Sequence, residues 1–458
     1  MPLIKSISGF RGTIGGSPGD NLTPQDIVEC TAAFGQWILD TTQNPNIVIG
    51  RDGRISGEIV SALVVNTLRS MGIHIVDLGL STTPTVEIAV PLEKAGGGII
   101  LTASHNPKEW NALKLLNDKG EFISAVDGAA VLDIVAKKSV VYAPVDKLGS
   151  YRTDHSYLDK HIRQILELPL VDVQAIRTKG FKIVLDAINS TGATAVPLLL
   201  DMLGCQCTVI NGEVNGLFAH NPEPLKEHLS QLSMEVRLQR ADLGIAVDPD
   251  VDRLVFMCED GELFGEEYTL VAVADYVLSK RPGNSVSNLS STRALRDITI
   301  KHGGEYFAAA VGEVNVVNKM KAVNAVIGGE GNGGIIVPEL HYGRDALAGI
   351  ALFLSLLAHS EKRISTLRKT YPEYHMAKSK LDKSPDIDLD KIFLALQEKY
   401  HREQINTEDG LKIDFEDGWV HLRPSNTEPI IRVYSESHSA VIAGNLAKKI
   451  ISDIGAVK

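Results

Sequence analysis

The chain has 458 residues, with 46 Lys and Arg against 57 Asp and Glu, a net charge of -11, and four cysteines. At about 150 residues per domain this length holds roughly three domains, and is compatible with four small ones. The acidic balance argues against a nucleic-acid partner, which a basic excess would mark, and Cys30, Cys205, Cys207 and Cys258 lack the paired CxxC spacing of a zinc site or a disulfide framework.

Met1-Pro2-Leu3-Ile4-Lys5 has no signal-peptide apolar region, which together with the cysteine usage gives a cytoplasmic expectation. Ser8-Gly9-Phe10-Arg11-Gly12 follows and places a guanidinium, Arg11, in a Gly-flanked segment. Residues 46–50, 56–70, Gly72 and 73–78 then predict a strand, a helix, a helix-ending glycine and a second strand. The same unit recurs at 181–186, 191–203, Gly204 and 205–210, and again at 284–289, 292–302, Gly303 and 305–310. Such units build parallel pairing through right-handed crossovers. Three of them predict three related α/β domains with boundaries near Tyr151 and Gly261.

Between these units lie the segments that carry chemistry. Thr102-Ala103-Ser104-His105-Asn106-Pro107 presents a serine in a turn-forming run. Asp248-Pro249-Asp250-Val251-Asp252-Arg253 is flanked by the apolar runs 243–247 and 254–257, so three carboxylates sit on a loop between two strands. Gathered together they repel one another and need a cation. Oxygen ligands favour magnesium or calcium. A helix-loop-helix calcium site would also use Glu259 at position twelve, but it needs Gly at position six, where this chain has Arg253.

Gly329-Glu330-Gly331-Asn332-Gly333-Gly334 lets backbone approach a ligand while offering a carboxylate and an amide. It formally matches a dinucleotide fingerprint, but the β-branched Ile335-Ile336-Val337-Pro338 that follows does not open a helix. The apolar run 346–358 is short of the roughly 20 residues that span a bilayer and reads as a buried helix; no membrane partner is expected. Residues 378–390, rich in Lys and Asp, read as a connector or a surface loop. Beyond it, 411–415, 419–422 and 430–434 read as strands and 437–454 as an amphipathic helix, a smaller α+β domain. Within it, Arg423-Pro424-Ser425-Asn426-Thr427-Glu428-Pro429, with Arg432 close behind, concentrates donors for phosphate oxygens.

These four segments, in this order over essentially the whole chain, resemble the α-D-phosphohexomutase family of phosphosugar mutases. The resemblance implies four domains around a central cleft: 1–150 with the phosphoserine loop, 151–260 with the metal loop, 261–367 with the sugar loop, and 368–458 with the phosphate loop. It implies a phosphorylated Ser104 and one Mg²⁺ per chain, held by Asp248, Asp250, Asp252 and Ser104. Phosphate would pass from Ser104 to a sugar hydroxyl, giving a hexose 1,6-bisphosphate that reorients and returns its other phosphate, a net shift between C1 and C6. Arg11 and Arg253 would stabilise the phosphoryl oxygens. Lys114 would act as the base, with its proton affinity lowered by packed cations, or as electrostatic support, and His105 would bind substrate or orient the loop. Glu330 and Asn332 would hold the sugar 3- and 4-hydroxyls, while Arg423, Ser425, Asn426, Thr427 and Arg432 would hold the non-reacting phosphate. The partner is then a hexose or hexosamine phosphate, and the chain a monomer or homodimer. Gly312-Glu313 departs from the Gly-His of some relatives, and the GEGNGG form is similar to archaeal-type phosphoglucosamine and phosphomanno mutases. The expected activity is therefore phosphoglucosamine mutase, with phosphoglucomutase/phosphomannomutase as the alternative. A phosphatase and a noncatalytic sugar-phosphate sensor are rival classes.

Overall fold

The computed structural model describes residues 3–6, 9–382, 388–424 and 430–457. They form two compact units, Met1–Thr269 with Asn332–Leu367, and Leu270–Gly331 with Arg368–Lys458.

In the first unit, the described residues form two mixed sheets. The larger runs in the order Ile4–Ser6, Gly9–Thr13, Trp110–Leu116, Gly97–Leu101, Asn46–Arg51, His74–Leu80, Tyr151–Thr153. Its last four strands are parallel, whereas Trp110–Leu116 and Gly9–Thr13 join antiparallel. The smaller runs Leu254–Cys258, Leu243–Val247, Lys182–Asp186, Gln206–Ile210. Here the first pair is antiparallel and the rest parallel. Strands buried on both faces are continuously apolar, as in Gly97–Leu101, Leu243–Val247 and Leu254–Cys258. All three predicted strand-helix-strand units are present with parallel strands. Their helix-ending glycines Gly72, Gly204 and Gly303 have φ of +84°, +73° and +77°, a conformation that costs glycine nothing.

The helix Ala346–Ser360 is the buried one expected, capped by Asp345, which accepts from the N–H groups of Leu347 and Ala348. It packs on the helices Tyr157–Leu166 and Val173–Lys179 and on the strand Leu254–Cys258. At that contact Phe353 stacks on Phe256 with ring centroids 3.8 Å apart, and Phe264 meets Phe353 edge-on at 5.3 Å. The strand that follows the three aspartates is thus fixed from below.

In the second unit, Tyr306–Ala309, Asn284–Asn288 and Ala325–Glu330 pair in parallel. An antiparallel sheet runs His375–Asp382, Ile430–Ser437, Gly418–Pro424, Leu411–Phe415, Gln404–Asn406. The helices Leu389–Lys399 and Ala440–Val457 share a core with this sheet, through Ile392, Leu396, Ala447 and Ile450 among others.

Two readings are corrected. Residues 378–382 are no connector: they lie in the edge strand His375–Asp382, paired with Ile430–Ser437. Lys378, Lys380 and Asp382 point to solvent while Ala377, Ser379 and Leu381 are half-buried, so an edge strand's alternation reads as a polar run. Residues 389 and 390 begin the helix Leu389–Lys399, and 383–387 lie outside the described residues. Second, Tyr151–Thr153 pairs with His74–Leu80, so the first sheet continues past residue 150. By packing, 332–367 belongs to the first unit and 270–331 to the second. Among the described residues no helix is long and apolar enough to cross a membrane.

Truncating Phe353 to Ala removes a ring from a packed trio, which costs about 3–5 kcal/mol. Phe353→Ala is expected to lower the thermal midpoint by several degrees; an unchanged midpoint would show that this contact does not hold the strand.

Candidate active site

Two turns converge in the first unit. One follows the strand Gly97–Leu101 and carries Ser104; the other joins Leu243–Val247 to Leu254–Cys258 and carries the three aspartates. Ser104 and Val251 have φ of +49° and +61°, in the left-handed region that side chains, β-branched ones above all, disfavour. Such strain persists only where surrounding contacts over-determine it. Those contacts are visible at both turns.

At the first turn, Arg54 is almost completely buried and uses all five of its N–H groups. Its Nε donates to Asp52 Oδ2 at 3.0 Å, Nη1 to the carbonyls of Pro107 and Trp110 at 2.6 and 2.9 Å, and Nη2 to those of Ser104 and Asn106, both at 2.6 Å. Asp52 Oδ2 also accepts from Thr102 Oγ1 at 2.6 Å, and Thr102 Oγ1 in turn accepts the Ser104 N–H at 2.9 Å. Burial pushes the Asp52 carboxyl above its ordinary pKa, against the pull of Arg54 and Thr102. The result is a rigid plate on which Ser104 is mounted. At the second turn, Asp248 Oδ1 accepts the N–H groups of Asp252 and Arg253, each at 3.1 Å. Thr83 Oγ1 donates to Asp250 Oδ2 at 2.6 Å, and the Thr83 N–H to the Asp250 carbonyl at 2.8 Å.

The turns meet where Ser104 Oγ donates to Asp248 Oδ2 at 2.7 Å. One carboxylate oxygen from each of Asp248, Asp250 and Asp252 lies within 4.8 Å of the others, and all three residues are fully buried. Burial first, then Asp252 and Asp250, raise the Asp248 pKa well above the carboxylate range. For Asp252, burial is more than offset by Arg344, Lys114 and Arg253, which hold its pKa low. Asp250 Oδ1 and Asp252 Oδ1 are buried without a hydrogen-bond partner among the described residues. Hard oxygens without hydrogen bonds beside a serine hydroxyl fit a divalent cation.

Around this centre the cations are placed by sheet register. Gly9 pairs with Lys114 and Arg11 with Ala112, which puts Arg11 and Lys114 on one face of neighbouring antiparallel strands. Lys114 Nζ lies 2.7 Å from Asp250 Oδ2 and 3.5 Å from Asp252 Oδ2. Burial opposes its charge, but Asp250 and Asp252 prevail and raise its pKa, so the expected lowering of its proton affinity is not found: the nearest groups are anions. Arg11 donates to Asn106 Oδ1 at 3.2 Å. Arg253 Nε lies 3.9 Å from both Asp248 Oδ2 and Asp252 Oδ1. Arg253, then burial and Arg11, depress the His105 pKa far below the imidazole value, which keeps His105 neutral.

Asp52, Arg54, Thr83, Thr102 and Arg344 escape sequence reasoning. Arg344 Nη2 donates to Asp252 Oδ2 at 2.6 Å across 92 residues of chain. Only the polar Gly-turn 50–54 carried a local signal, an Asp and an Arg next to a glycine at a strand end.

The remaining predicted residues are split. Asn332 belongs to the first unit, where its Oδ1 accepts the Gly334 N–H at 3.2 Å. Glu330, in the second unit, ends the strand Ala325–Glu330 and is buried. Its Oε1 accepts from Asn288 Nδ2 at 3.0 Å and from the Gly312 N–H at 3.3 Å. Arg423 and Arg432 stand directly opposite each other on paired strands. Like charges so placed repel, which makes the position receptive to an anion. Arg423 Nη1 lies 3.3 Å from Asp409 Oδ2, and Arg432 Nη1 donates to the Tyr434 hydroxyl at 3.3 Å. Ser425, Asn426 and Thr427 lie outside the described residues.

Family models describing phosphoglucomutase/phosphomannomutase alpha/beta/alpha domains I, II and III match residues 4–141, 159–261 and 265–374, and the model of the C-terminal domain matches 376–452. A phosphoglucomutase/phosphomannomutase of Thermococcus kodakarensis is 34% identical over 435 residues, 93% of this chain and 94% of the relative. The chain belongs to the phosphoglucomutase/phosphomannomutase family. Other relatives of this phosphohexomutase are a probable phosphoglucosamine mutase of Methanopyrus kandleri, 31% identical with 97% and 96% of the two chains covered, and a phosphoglucosamine/phosphogalactosamine mutase of Sulfurisphaera tokodaii, 30% identical with 98% of each covered. The crystal structure of a phosphoglucomutase/phosphomannomutase family protein from Burkholderia thailandensis has the same fold, with a TM-score of 0.86, 24% identity, and 99% and 97% of the chains covered. The phosphohexomutase therefore has the four-domain architecture of its family and is an isomerase of the phosphotransferase type. The family is metal-dependent, in keeping with the acidic trio.

Arg54→Lys tests the plate beneath Ser104. An ammonium has three donors where the guanidinium uses five, leaving buried carbonyls unsatisfied at about 1–3 kcal/mol each. Mutase kcat is expected to fall by roughly 10–100-fold, in keeping with ~1.4 kcal/mol per tenfold, and the 102–110 loop to become protease-sensitive. Wild-type kcat and protection together would show that Ser104 is positioned by something else.

Proposed function

We propose that this phosphohexomutase interconverts glucosamine 1-phosphate and 6-phosphate, using Ser104 as the phosphate carrier and Mg²⁺ as its metal. The observation that carries the reading of the centre is the contact of Ser104 Oγ with Asp248 Oδ2 at 2.7 Å, beside two buried carboxylate oxygens that lack hydrogen-bond partners among the described residues. The glucosamine preference rests on the names of the relatives from Methanopyrus kandleri and Sulfurisphaera tokodaii. The second reading, glucose and mannose phosphates, is favoured by the Thermococcus kodakarensis relative.

In this mechanism Asp248, Asp250 and Asp252, with a phosphate oxygen on Ser104, would hold Mg²⁺, which when bound neutralises phosphoryl charge. Arg11 and Arg253 offer donors to the equatorial oxygens as phosphate moves between Ser104 and a sugar hydroxyl. Lys114, kept as an ammonium by Asp250 and Asp252, supports developing charge and can protonate the sugar oxygen that leaves phosphorus. To act as the base it must first lose those carboxylates. Neutral His105 fits a binding or loop-orienting role. Glu330 and Asn332 would hold the 3- and 4-hydroxyls. Arg423, Ser425, Asn426, Thr427 and Arg432 would anchor the non-reacting phosphate while the 1,6-bisphosphate turns over, so that distant binding energy orients the reacting end. The division into domains near 150, 260 and 367 belongs to the same reading, with the first boundary moved beyond Thr153.

The deciding assay supplies each 1-phosphate of glucosamine, glucose and mannose with Mg²⁺ and a trace of the matching 1,6-bisphosphate, following 6-phosphate and free phosphate together. The highest kcat/KM is expected for glucosamine, without accumulation of free phosphate. A preference for glucose or mannose establishes the second reading, and free phosphate without 6-phosphate would indicate a phosphatase.

Ser104→Ala is expected to retain the fold and lose more than ~10³-fold in turnover, the scale on which a covalent nucleophile acts; substantial turnover with bisphosphate present would remove Ser104 from the chemistry. Arg423→Lys replaces a bidentate fork with a point charge and is expected to raise KM and the escape of bisphosphate during turnover. If both are unchanged, the phosphate anchor lies elsewhere.

A further inference from the structure

A second polar cluster lies in the first unit, outside the catalytic centre, and it is built from metal-ligand residue types. His161, on the helix Tyr157–Leu166, is completely buried. Its Nε2 lies 2.8 Å from Asp345 Oδ2, and its Nδ1 lies 3.0 Å from Thr85 Oγ1. His341 brings its own Nε2 to 3.2 Å from the same Asp345 oxygen and its Nδ1 to 3.4 Å from Glu87 Oε2. The two imidazole rings are perpendicular, at 88°. Two ring nitrogens and a carboxylate oxygen therefore converge, with one ligand atom from each of the three residues within 4.8 Å of the others.

Several features are those of a metal centre. A tetrahedral ion bound at about 2.0–2.2 Å separates its ligand atoms by roughly 3.3 Å, close to the 2.8 and 3.2 Å seen between Nε2 and Oδ2. The outer nitrogen of His161 has the Thr85 hydroxyl as partner, the arrangement that fixes ring orientation and ligand basicity, whereas that of His341 lies in ion-pair range of Glu87 without a hydrogen bond among the described residues. Asp345 is anchored by two helix N–H groups on its other oxygen. Gly343 lets Glu87 come close: a Cβ there would stand 1.9 Å from Glu87 Oε2. Glu87 and Asp345 are both buried, and a single divalent ion bound by neutral imidazoles balances both charges. His341, 12% exposed at its side chain, leaves a way in.

We propose that His161, His341 and Asp345 form a zinc-type metal site of three protein ligands, separate from the three-aspartate centre, with Thr85 and Glu87 as its outer neighbours. Imidazole nitrogens with one carboxylate select a first-row transition ion over Mg²⁺. The site ties together three remote stretches of chain next to catalytic parts: Thr83, on the helix Thr83–Leu92 with Thr85 and Glu87, holds Asp250, and Arg344, beside Asp345, holds Asp252.

The test uses the full chain, stripped with chelator and kept in saturating Mg²⁺ so that the aspartate loop does not compete for the probe. Zn²⁺ is titrated against a chromophoric chelator, and Co²⁺ is added separately to read visible d–d absorption. Wild type and Asp250→Asn are each expected to bind a single Zn²⁺ per chain, with Co²⁺ bands of a nitrogen-ligated site and a raised thermal midpoint. Glu87→Gln is expected to weaken Zn²⁺ by about 10–100-fold, the outer-partner scale, and His341→Ala to weaken it further and abolish the Co²⁺ bands. Wild type without a tight Zn²⁺ or without those bands overturns the proposal, as does wild-type binding by His341→Ala or loss of binding in Asp250→Asn. If His341→Ala does not fold, the wild-type Co²⁺ spectrum and Glu87→Gln decide; unchanged affinity in Glu87→Gln then overturns it. These readouts do not involve turnover, so failure here leaves the mutase reading standing, and failure of that reading leaves this one.

Discussion

Three carboxylates held within 4.8 Å of one another in the interior of the first unit set the terms for what surrounds them. Two unit charges 4 Å apart interact by about 4 kcal/mol at the effective dielectric of such sites, against about 1 kcal/mol in water. The fold keeps the trio by raising the Asp248 pKa and by supplying positive charge. Lys114 comes from the first sheet, Arg253 from the acidic turn itself and Arg344 from the turn before the buried helix. Even so, among the described residues two carboxylate oxygens remain without hydrogen-bond partners, the room that a cation and a phosphoryl group would fill.

Strain and support are paired around this charge. Ser104 and Val251 occupy conformations their side chains disfavour, and each turn is pinned by bonds from elsewhere: Arg54 and Asp52 under the serine, Thr83 against Asp250. A serine hydroxyl held this way has its geometry set during folding. The aromatic packing of Phe256, Phe264 and Phe353 extends the same rigidity to the strand behind the acidic loop.

The second unit solves the opposite problem. Arg423 and Arg432 face each other across a strand pair, and their repulsion is moderated by Asp409 and the Tyr434 hydroxyl. An anion that replaces these modest partners gains a site already organised for negative charge. Glu330 is held by Asn288 and the Gly312 backbone, so the turn at Gly312 donates to the carboxylate that ends the strand Ala325–Glu330.

What the sequence by itself determined is whatever depends on near neighbours. The strand-helix-glycine-strand units, the acidic loop between two apolar strands and the buried helix Ala346–Ser360 follow from periodicity and turn chemistry that a short window contains. The edge strand His375–Asp382 does not, because half of its residues face solvent and its identity comes from pairing with Ile430–Ser437. Nor do Thr83, Arg54 and Arg344 as parts of the site: their partners lie 167, 50 and 92 residues away. His161 and Asp345, 184 residues apart, are individually unremarkable in the sequence. The expected lowering at Lys114 likewise gave way to a raised pKa because the tertiary structure sets it against Asp250 and Asp252. Local chemistry chose which groups the chain carries, and only the tertiary structure decided which of them share a low-dielectric interior, where a charge's nearest neighbour controls its behaviour.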